Sequence, residues 1–167
     1  MNQPFNVRFN VAVNHIAAKV LPRGFDVSAD APQDYDSLIA HYRATGRVLV
    51  WSGASERTIF ADAHVNQAFR AWHDARHISG GHDFSRNGEF LTMVAQMADI
   101  SAIYSGQTAA TFRTILRAEI IGQREYQERF GGFPLNQFAF VRDYLANPLL
   151  ALAADARALY GVSFEAA

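Results

Sequence analysis

Residues 64–78 read HVNQAFRAWHDARHI and contain the clearest helical pattern in the chain. At about 3.6 residues per turn, the apolar residues fall on one side of a helix. That apolar side consists of Val65, Phe69 and Trp72. His73 and His77 lie at its edge, four residues apart, so both imidazoles project from one face. The stretch therefore predicts an amphipathic helix with a histidine pair beside the core.

The same spacing recurs along most of the chain. It predicts further helices over residues 34–43, 86–104, 107–130, 135–146 and 148–160. Asp34 is the predicted cap of the helix 34–43, and Gly46 is expected to end it. Another helix is expected from about Asn10, although the alternation of apolar residues over 5–13 also fits a strand.

The remaining segments are short and rich in turn-forming residues. Residues 47–51, RVLVW, predict an extended run, which turns back through 52–63. Glycines and prolines mark residues 21–36 and 80–88 as loops. Strands and helices do not alternate, which argues against a Rossmann-like sheet. We therefore expect an all-α or mostly α fold, a helical bundle with a short extended segment near residues 47–60.

Length and composition limit the functions that the chain can have. Its 167 residues, half of them apolar, predict one domain over 1–167 with a substantial core. The net charge of -1 and the absence of a basic stripe give no support for an extended nucleic-acid surface. No signal peptide and no bilayer-spanning run is visible, so a cytoplasmic protein with no membrane contact is expected. Oligomeric state is left open.

The chain has no cysteine. A metal site would therefore use imidazole, carboxylate, amide or water ligands, which favours zinc, manganese or iron as the divalent ion.

Several polar residues fall where the predicted helices should be apolar. Glu119 and Gln123 lie in the middle of the apolar stripe of the helix 107–130. Glu89 and Gln96 fall within the stripe of the helix 86–104. A buried carboxylate needs a cation, a hydrogen-bonded partner or a proton. Glu89 lies in a first helical turn, where favouring the helix dipole or completing a capping box explains it equally well.

Three successive helices thus place metal-capable groups towards the core. This convergence predicts a metal or catalytic site. The alternative is a structural polar network in which Glu119 pairs with Arg70 or Arg76.

The dyad His73-Asp74 resembles that of HD-domain phosphohydrolases. The resemblance implies a helical fold in which an early histidine, the dyad and a later acidic residue hold a divalent ion. His41 would be the early histidine, and Asp99 or Glu119 the later residue, with Glu119 better placed for burial. The segment HDARH is also similar to the HDxxH run of cyclic-nucleotide phosphodiesterases, with His77 in the additional position.

Parts of the sequence also resemble three other kinds of protein. The pattern FRAWHDxxH…HDFSxxGE is similar to small phage-type and bacterial proteins over residues 34–145, which implies no activity. A zincin-like site would need Glu where HDARH has Asp. A ferritin-like di-metal site would use His73, His77, Glu89 and Glu119, but the expected Glu-x-x-His pairs are absent.

These observations predict a metal-dependent hydrolase that acts on a small anionic substrate, a phosphate ester or nucleotide. The predicted metal ligands are His41, His73, Asp74, His77 and Glu119. The predicted acid, base or catalytic residues are His77, His82 and Asp83. The predicted substrate-binding residues are Arg70, Arg76 and Gln123. The alternative function is a non-catalytic, phage-type accessory or binding protein with a structural network of buried His and Glu.

Overall fold

The structure, a computed structural model, describes residues 5–160 and the side chains of residues 5–154. The ends of the predicted domain, 1–4 and 161–167, lie outside the described residues. The helices are α1 Val7–Val20, α2 Tyr35–Thr45, α3 Ala63–Gly80, α4 Arg86–Ile103, α5 Gly106–Arg117, α6 Gln123–Phe130, α7 Gln137–Ala146 and α8 Pro148–Tyr160. A π-helical turn, Ala118–Gly122, joins α5 to α6. The prediction of a mostly α single domain is confirmed.

Two short parallel strands complete the fold. β1 Asp26–Ser28 pairs with β2 Leu49–Trp51, and Val27 lies opposite Val50. β2 falls within the extended run expected at 47–51, whereas β1 lies in a segment expected to be only loop. β1 is three residues long and mostly exposed, so it lacks the apolar run by which a buried strand is recognised.

The first helix, α1, decides between the strand and the helix that the sequence allowed for residues 5–13. Residues 5–13 do not form a strand, because α1 begins at Val7. The Asn6 side chain accepts a hydrogen bond from the Phe9 backbone N–H and caps the helix. Phe9, Val13 and Ile16 are buried on one face, so the helical spacing and not the alternation describes the packing.

Helix α3 lies at the centre of the molecule, packed against α1 and α4. Asp62 caps its start by accepting from the Val65 backbone N–H, and Gly81 ends it with φ 66°. Trp72 is fully buried in the main core, with Phe9 and Leu116. The opposite side of α3 packs Ala71 and Ala75 against β2. These contacts fix the orientation of the histidine face of α3.

None of the helices within residues 5–160 is both long enough and apolar enough to span a bilayer.

Candidate metal centre

The two histidines of α3 meet at one point. Their Nε2 atoms lie 2.9 Å apart, as expected for rings one helical turn apart whose side chains converge. His77 is fully buried, and the side chain of His73 is 17 % exposed. The prediction that these residues share one face of α3 is therefore confirmed.

The other ring nitrogen of each histidine is held by an oxygen that only accepts hydrogen bonds. Nδ1 of His77 lies 2.8 Å from the backbone carbonyl of His82, and Nδ1 of His73 lies 2.9 Å from Oε1 of Gln96. Each Nδ1 must therefore donate a proton. In the neutral rings both Nε2 atoms then present lone pairs to each other, and two lone pairs repel unless a cation lies between them.

Glu89, in the first turn of α4, supplies a third atom. Its Oε2 lies 3.1 Å from Nε2 of His73 and 3.6 Å from Nε2 of His77. Within the described residues, these three side chains form the group whose ligand atoms all lie within 4.8 Å of one another. Zinc bonds of about 2.0 Å at tetrahedral angles place ligand atoms about 3.3 Å apart. The observed separations bracket that value, so this triad could hold a metal ion.

The charges of Glu89 and the two histidines influence one another's pKa values. Burial lowers the pKa of His73, but the hydrogen bond and negative charge of Glu89 outweigh it and raise that pKa to about 9. Burial raises the pKa of Glu89, yet its hydrogen bonds to the two histidines hold it well below its usual range. The carboxylate is therefore ionised beside the pair, and a positive charge, either a proton or a metal ion, is stabilised there.

The triad lies at the wall of a cavity of about 530 Å³. His73 and Glu89 line the cavity, together with Asp74, Arg70 and Glu119. Residues of α2, β2, α3, α4 and α6 contribute to the wall, so the cavity lies where these elements meet. An ion held by the triad would therefore have its open side towards a space large enough for a small molecule.

Glu119 lies on the π-helical turn and borders the same cavity. The sequence predicted an uninterrupted helix over 107–130, whereas α5 and α6 are separated by this turn. Its side chain is 6 % exposed, and its Oε2 has no hydrogen-bond partner. Burial raises the pKa of the carboxyl to about 7, against an opposing hydrogen bond from Gln123. π-Helical turns often occur at functional sites.

The other predicted ligands are not brought into the triad. Asp74 lines the cavity, and burial raises its pKa to about 6, but its oxygens lie outside the group formed by His73, His77 and Glu89. Glu119 lies outside that group as well. His41 lies on α2, outside that group, and its buried Nε2 has no hydrogen-bond partner.

His82 and Asp83 were predicted to be catalytic side chains, but their contacts near the triad are of another kind. His82 contributes its backbone carbonyl to His77. Asp83 is exposed, and its Oδ1 accepts a hydrogen bond from Ser85, the cap of α4. His82 therefore supports the triad from the loop between α3 and α4, whereas Asp83 supports the start of α4.

Of the predicted substrate-binding residues, Arg70 and Gln123 line the cavity. The Arg70 guanidinium donates hydrogen bonds to three backbone carbonyls, that of Trp51 at the end of β2 and those of Gly53 and Ala54 in the loop that follows. It also lies 5.6 Å from the centroid of the Trp51 ring. Arg70 therefore positions the cavity wall.

Arg76, also predicted to bind substrate, instead pairs with Asp99 of α4. Its Nε and one terminal nitrogen donate to the two carboxylate oxygens at 2.7 and 2.6 Å. Trp72 donates its indole N–H to the same carboxylate at 2.7 Å. Asp99 therefore joins α3 to α4 in a structural contact.

We expect Asp99→Asn to lower the free energy of unfolding by about 1–3 kcal/mol, because the fully buried Trp72 indole and the partly buried Arg76 guanidinium lose a charged acceptor. Urea unfolding measures this change. Asp143→Asn, which breaks the exposed pair with Arg142, is the control and should have almost no effect. Equal losses in the two variants would contradict a structural role for Asp99.

Sequence reasoning left Glu89 out of its leading ligand set and named it only in the ferritin-like alternative. The signal was present, since Glu89 falls within the apolar stripe of α4, but capping and dipole effects explained it equally well. Ser85 caps α4 by accepting from the Gly88 backbone N–H, and the Glu89 carboxylate lies against the two histidines instead. Gln96, in the same stripe, is fully buried and holds His73.

Comparison of the chain with protein families, curated proteins and solved structures finds no match. The resemblance to HD-domain phosphohydrolases stays a prediction from the dyad, and function must be inferred from the geometry of the site.

Proposed function

We propose that this protein is a metal-dependent hydrolase whose ion binds Nε2 of His73, Nε2 of His77 and the carboxylate of Glu89. One observation supports this most strongly. Nε2 of His73, Nε2 of His77 and a carboxylate oxygen of Glu89 converge, while both Nδ1 atoms donate to fixed acceptors. Metal-binding histidines commonly donate their second N–H in this way, which sets the tautomer and the ring orientation.

Zinc is the ion that we favour. Two histidines and one glutamate with an open fourth position form a common catalytic zinc site. The same ligand set also binds iron, and manganese accepts carboxylate and imidazole ligands. The separations of 2.9, 3.1 and 3.6 Å fit tetrahedral zinc without a large side-chain movement.

We infer the class of reaction from the coordination position that the three ligands would leave open towards the cavity. When bound, such an ion supplies Lewis acidity, which polarises an ester oxygen and lowers the pKa of water. The chain contributes the orientation of the ligands through Gln96 and the His82 carbonyl.

A phosphate ester or nucleotide is the substrate class that we favour. Arg70 and Arg124 both line the cavity, and although they also bond backbone carbonyls and Glu128 respectively, their positive charge together with that of a bound ion would attract an anion. Trp51 and Phe133 also line it and are exposed by 42 % and 57 %, so they offer flat apolar contacts to a base. The cavity volume of about 530 Å³ suits a molecule of this size.

One observation also favours the alternative, a non-catalytic binding protein. A single proton shared between the two Nε2 atoms, with Glu89 as its counterion, would satisfy the triad without a metal. The two functions differ in metal content.

Metal analysis of protein purified without added metal separates them. We expect about one ion per chain in the wild type and none in His73→Ala. The two ligands that remain in this variant, His77 and Glu89, should bind divalent ions only weakly. His64→Ala, on the same helix but exposed, is the matched control and should retain the ion. Metal-free wild-type protein that takes up no zinc, manganese or iron on dialysis would overturn the proposal.

A further inference from the structure

Glu119 is the buried carboxylate of this cavity that the metal triad does not use. We propose that Glu119 is the proton acceptor for the water that attacks the substrate, and that it later returns this proton to the leaving group. This inference rests on the proposed metal centre, because the water would be activated there. It assigns Glu119 a catalytic function instead of the ligand function that the sequence suggested.

Position supports this assignment. Glu119 and His73 border the same cavity, on the π-helical turn and on α3 respectively. Both Arg70 and His73 act on the Glu119 carboxyl through their charges, so the carboxyl lies within electrostatic reach of the triad. It is nevertheless outside the group of atoms that could bind one ion together. Glu119 therefore borders the space onto which the open side of the triad faces, without belonging to the triad.

The hydrogen bonds of Glu119 leave one oxygen for such a water. Gln123, one turn further along, hydrogen-bonds the carboxyl and orients it. Oε2 is buried and has no partner. A buried polar atom without a partner is costly, and such atoms often mark a functional group or a water site. The free oxygen therefore has the capacity to accept a proton.

The backbone at this residue is unusual as well. Within the described residues, the π-helical turn Ala118–Gly122 interrupts what would otherwise be one helix from α5 to α6. A π-helical turn inserts a residue and changes the direction of the following side chains. Gly122, at the end of the turn, packs against the ring of Tyr144 of α7, where a Cβ would approach to 3.2 Å.

The other carboxylates near the cavity are less suited to this function. Glu89 is held by both histidines. Asp74 also lines the cavity, and burial raises its pKa to about 6 against the charges of both histidines, but neither of its oxygens is a buried atom without a hydrogen-bond partner. Asp83 is exposed and bonded to Ser85. Glu119 alone among these four combines an unpartnered buried oxygen with a place on the cavity wall.

The proton balance of the step is complete. An O–H bond of water breaks, its proton moves to Oε2 of Glu119, and the oxygen forms a bond to phosphorus of the ester. The P–O bond to the leaving group breaks, and the leaving oxygen takes the proton from Glu119. Burial raises the pKa of Glu119 to about 7, which suits a group that both accepts and returns a proton near neutral pH.

Cobalt substitution tests this inference without a known substrate. The visible spectrum of Co²⁺ bound in place of zinc reports ionisation next to the ion. We expect wild-type protein to bind one equivalent of Co²⁺ and to show a spectral transition between about pH 5 and about pH 9. Glu119→Gln should bind Co²⁺ equally well, and its transition should move by about one pH unit or more or disappear. Glu128→Gln, on α6 and paired with Arg86 and Arg124, should behave as wild type.

Any other result of the Co²⁺ experiment contradicts one particular step of this inference. If Glu119→Gln binds Co²⁺ and keeps the wild-type transition, Glu119 does not exchange the proton. If the variant folds, by circular dichroism, but loses Co²⁺, Glu119 is a ligand and the inference is wrong. If the wild type binds Co²⁺ and its spectrum does not change with pH, no ionising water is coupled to the carboxyl. If the wild type binds no Co²⁺ and no zinc, the metal centre itself fails.

Discussion

Glu89→Gln is expected to lower the affinity for zinc by more than about 100-fold, since loss of an outer-shell partner alone costs about 10- to 100-fold. The substitution keeps the size of the side chain but replaces an anionic oxygen by a neutral amide. The two Nε2 atoms would remain 2.9 Å apart without their counterion. Competition with a chromophoric chelator measures the affinity.

The same variant has a second expected effect in metal-free protein. Because Glu89 raises the pKa of His73 to about 9, its neutralisation should lower that pKa markedly. Histidine signals in NMR titrations report the change. Glu128→Gln is the matched control and should alter neither zinc affinity nor the His73 titration. Unchanged zinc affinity in Glu89→Gln would exclude Glu89 as a ligand.

Glu119→Gln is expected to stabilise the metal-free protein at about pH 8 by up to roughly 3 kcal/mol, at about 1.4 kcal/mol per tenfold change in protonation equilibrium. The Glu119 pKa is raised from 4.5 to about 7 in the folded protein. Between these values the folded chain holds a proton that the unfolded chain releases. Wild-type stability should therefore fall as the pH rises from about 4.5 to about 7, and then level off.

Urea unfolding in the presence of a chelator, at about pH 4.5 and at about pH 8, measures this linkage. The glutamine has nearly the same volume and no charge, so the two proteins should differ little at the lower pH. The difference should be largest at the higher pH. An equal difference at both values would show that Glu119 titrates at an ordinary pKa.

Much of this arrangement could be predicted from local pattern. Helical spacing places Phe112, Ile115 and Leu116 on the stripe that also contains Glu119, and all four are buried. The i, i+4 spacing of His73 and His77 brings their rings together because both lie on one regular helix. Properties that depend on a single helix are therefore visible in the sequence.

Other features depend on contacts between elements. Glu89 reaches the histidines only because α4 packs against α3 with its first turn beside them, and a single helix does not reveal that packing. His41 was expected to supply a ligand by resemblance, yet it lies on α2, outside the group formed by His73, His77 and Glu89. The sequence pattern of one helix does not predict which residues of other helices lie beside it, so this part of the site could not be predicted.

The strand β1 and the π-helical turn were not predicted, because neither has a recognisable pattern of its own in the sequence. β1 has three residues and is stabilised by pairing with β2, more than 20 positions away. The π-helical turn falls within AEIIG, whose apolar spacing continues that of a normal helix. Nothing in the composition of that stretch marks the inserted residue.

The central claim is that His73, His77 and Glu89 bind one metal ion. Anomalous diffraction at the zinc edge, from crystals of protein loaded with one equivalent of zinc, tests it most directly. We predict one peak about 2.0–2.2 Å from Nε2 of His73, Nε2 of His77 and an oxygen of Glu89, with its open side towards the cavity. A structure with no peak at this point and the two imidazoles still hydrogen-bonded to each other would contradict the claim.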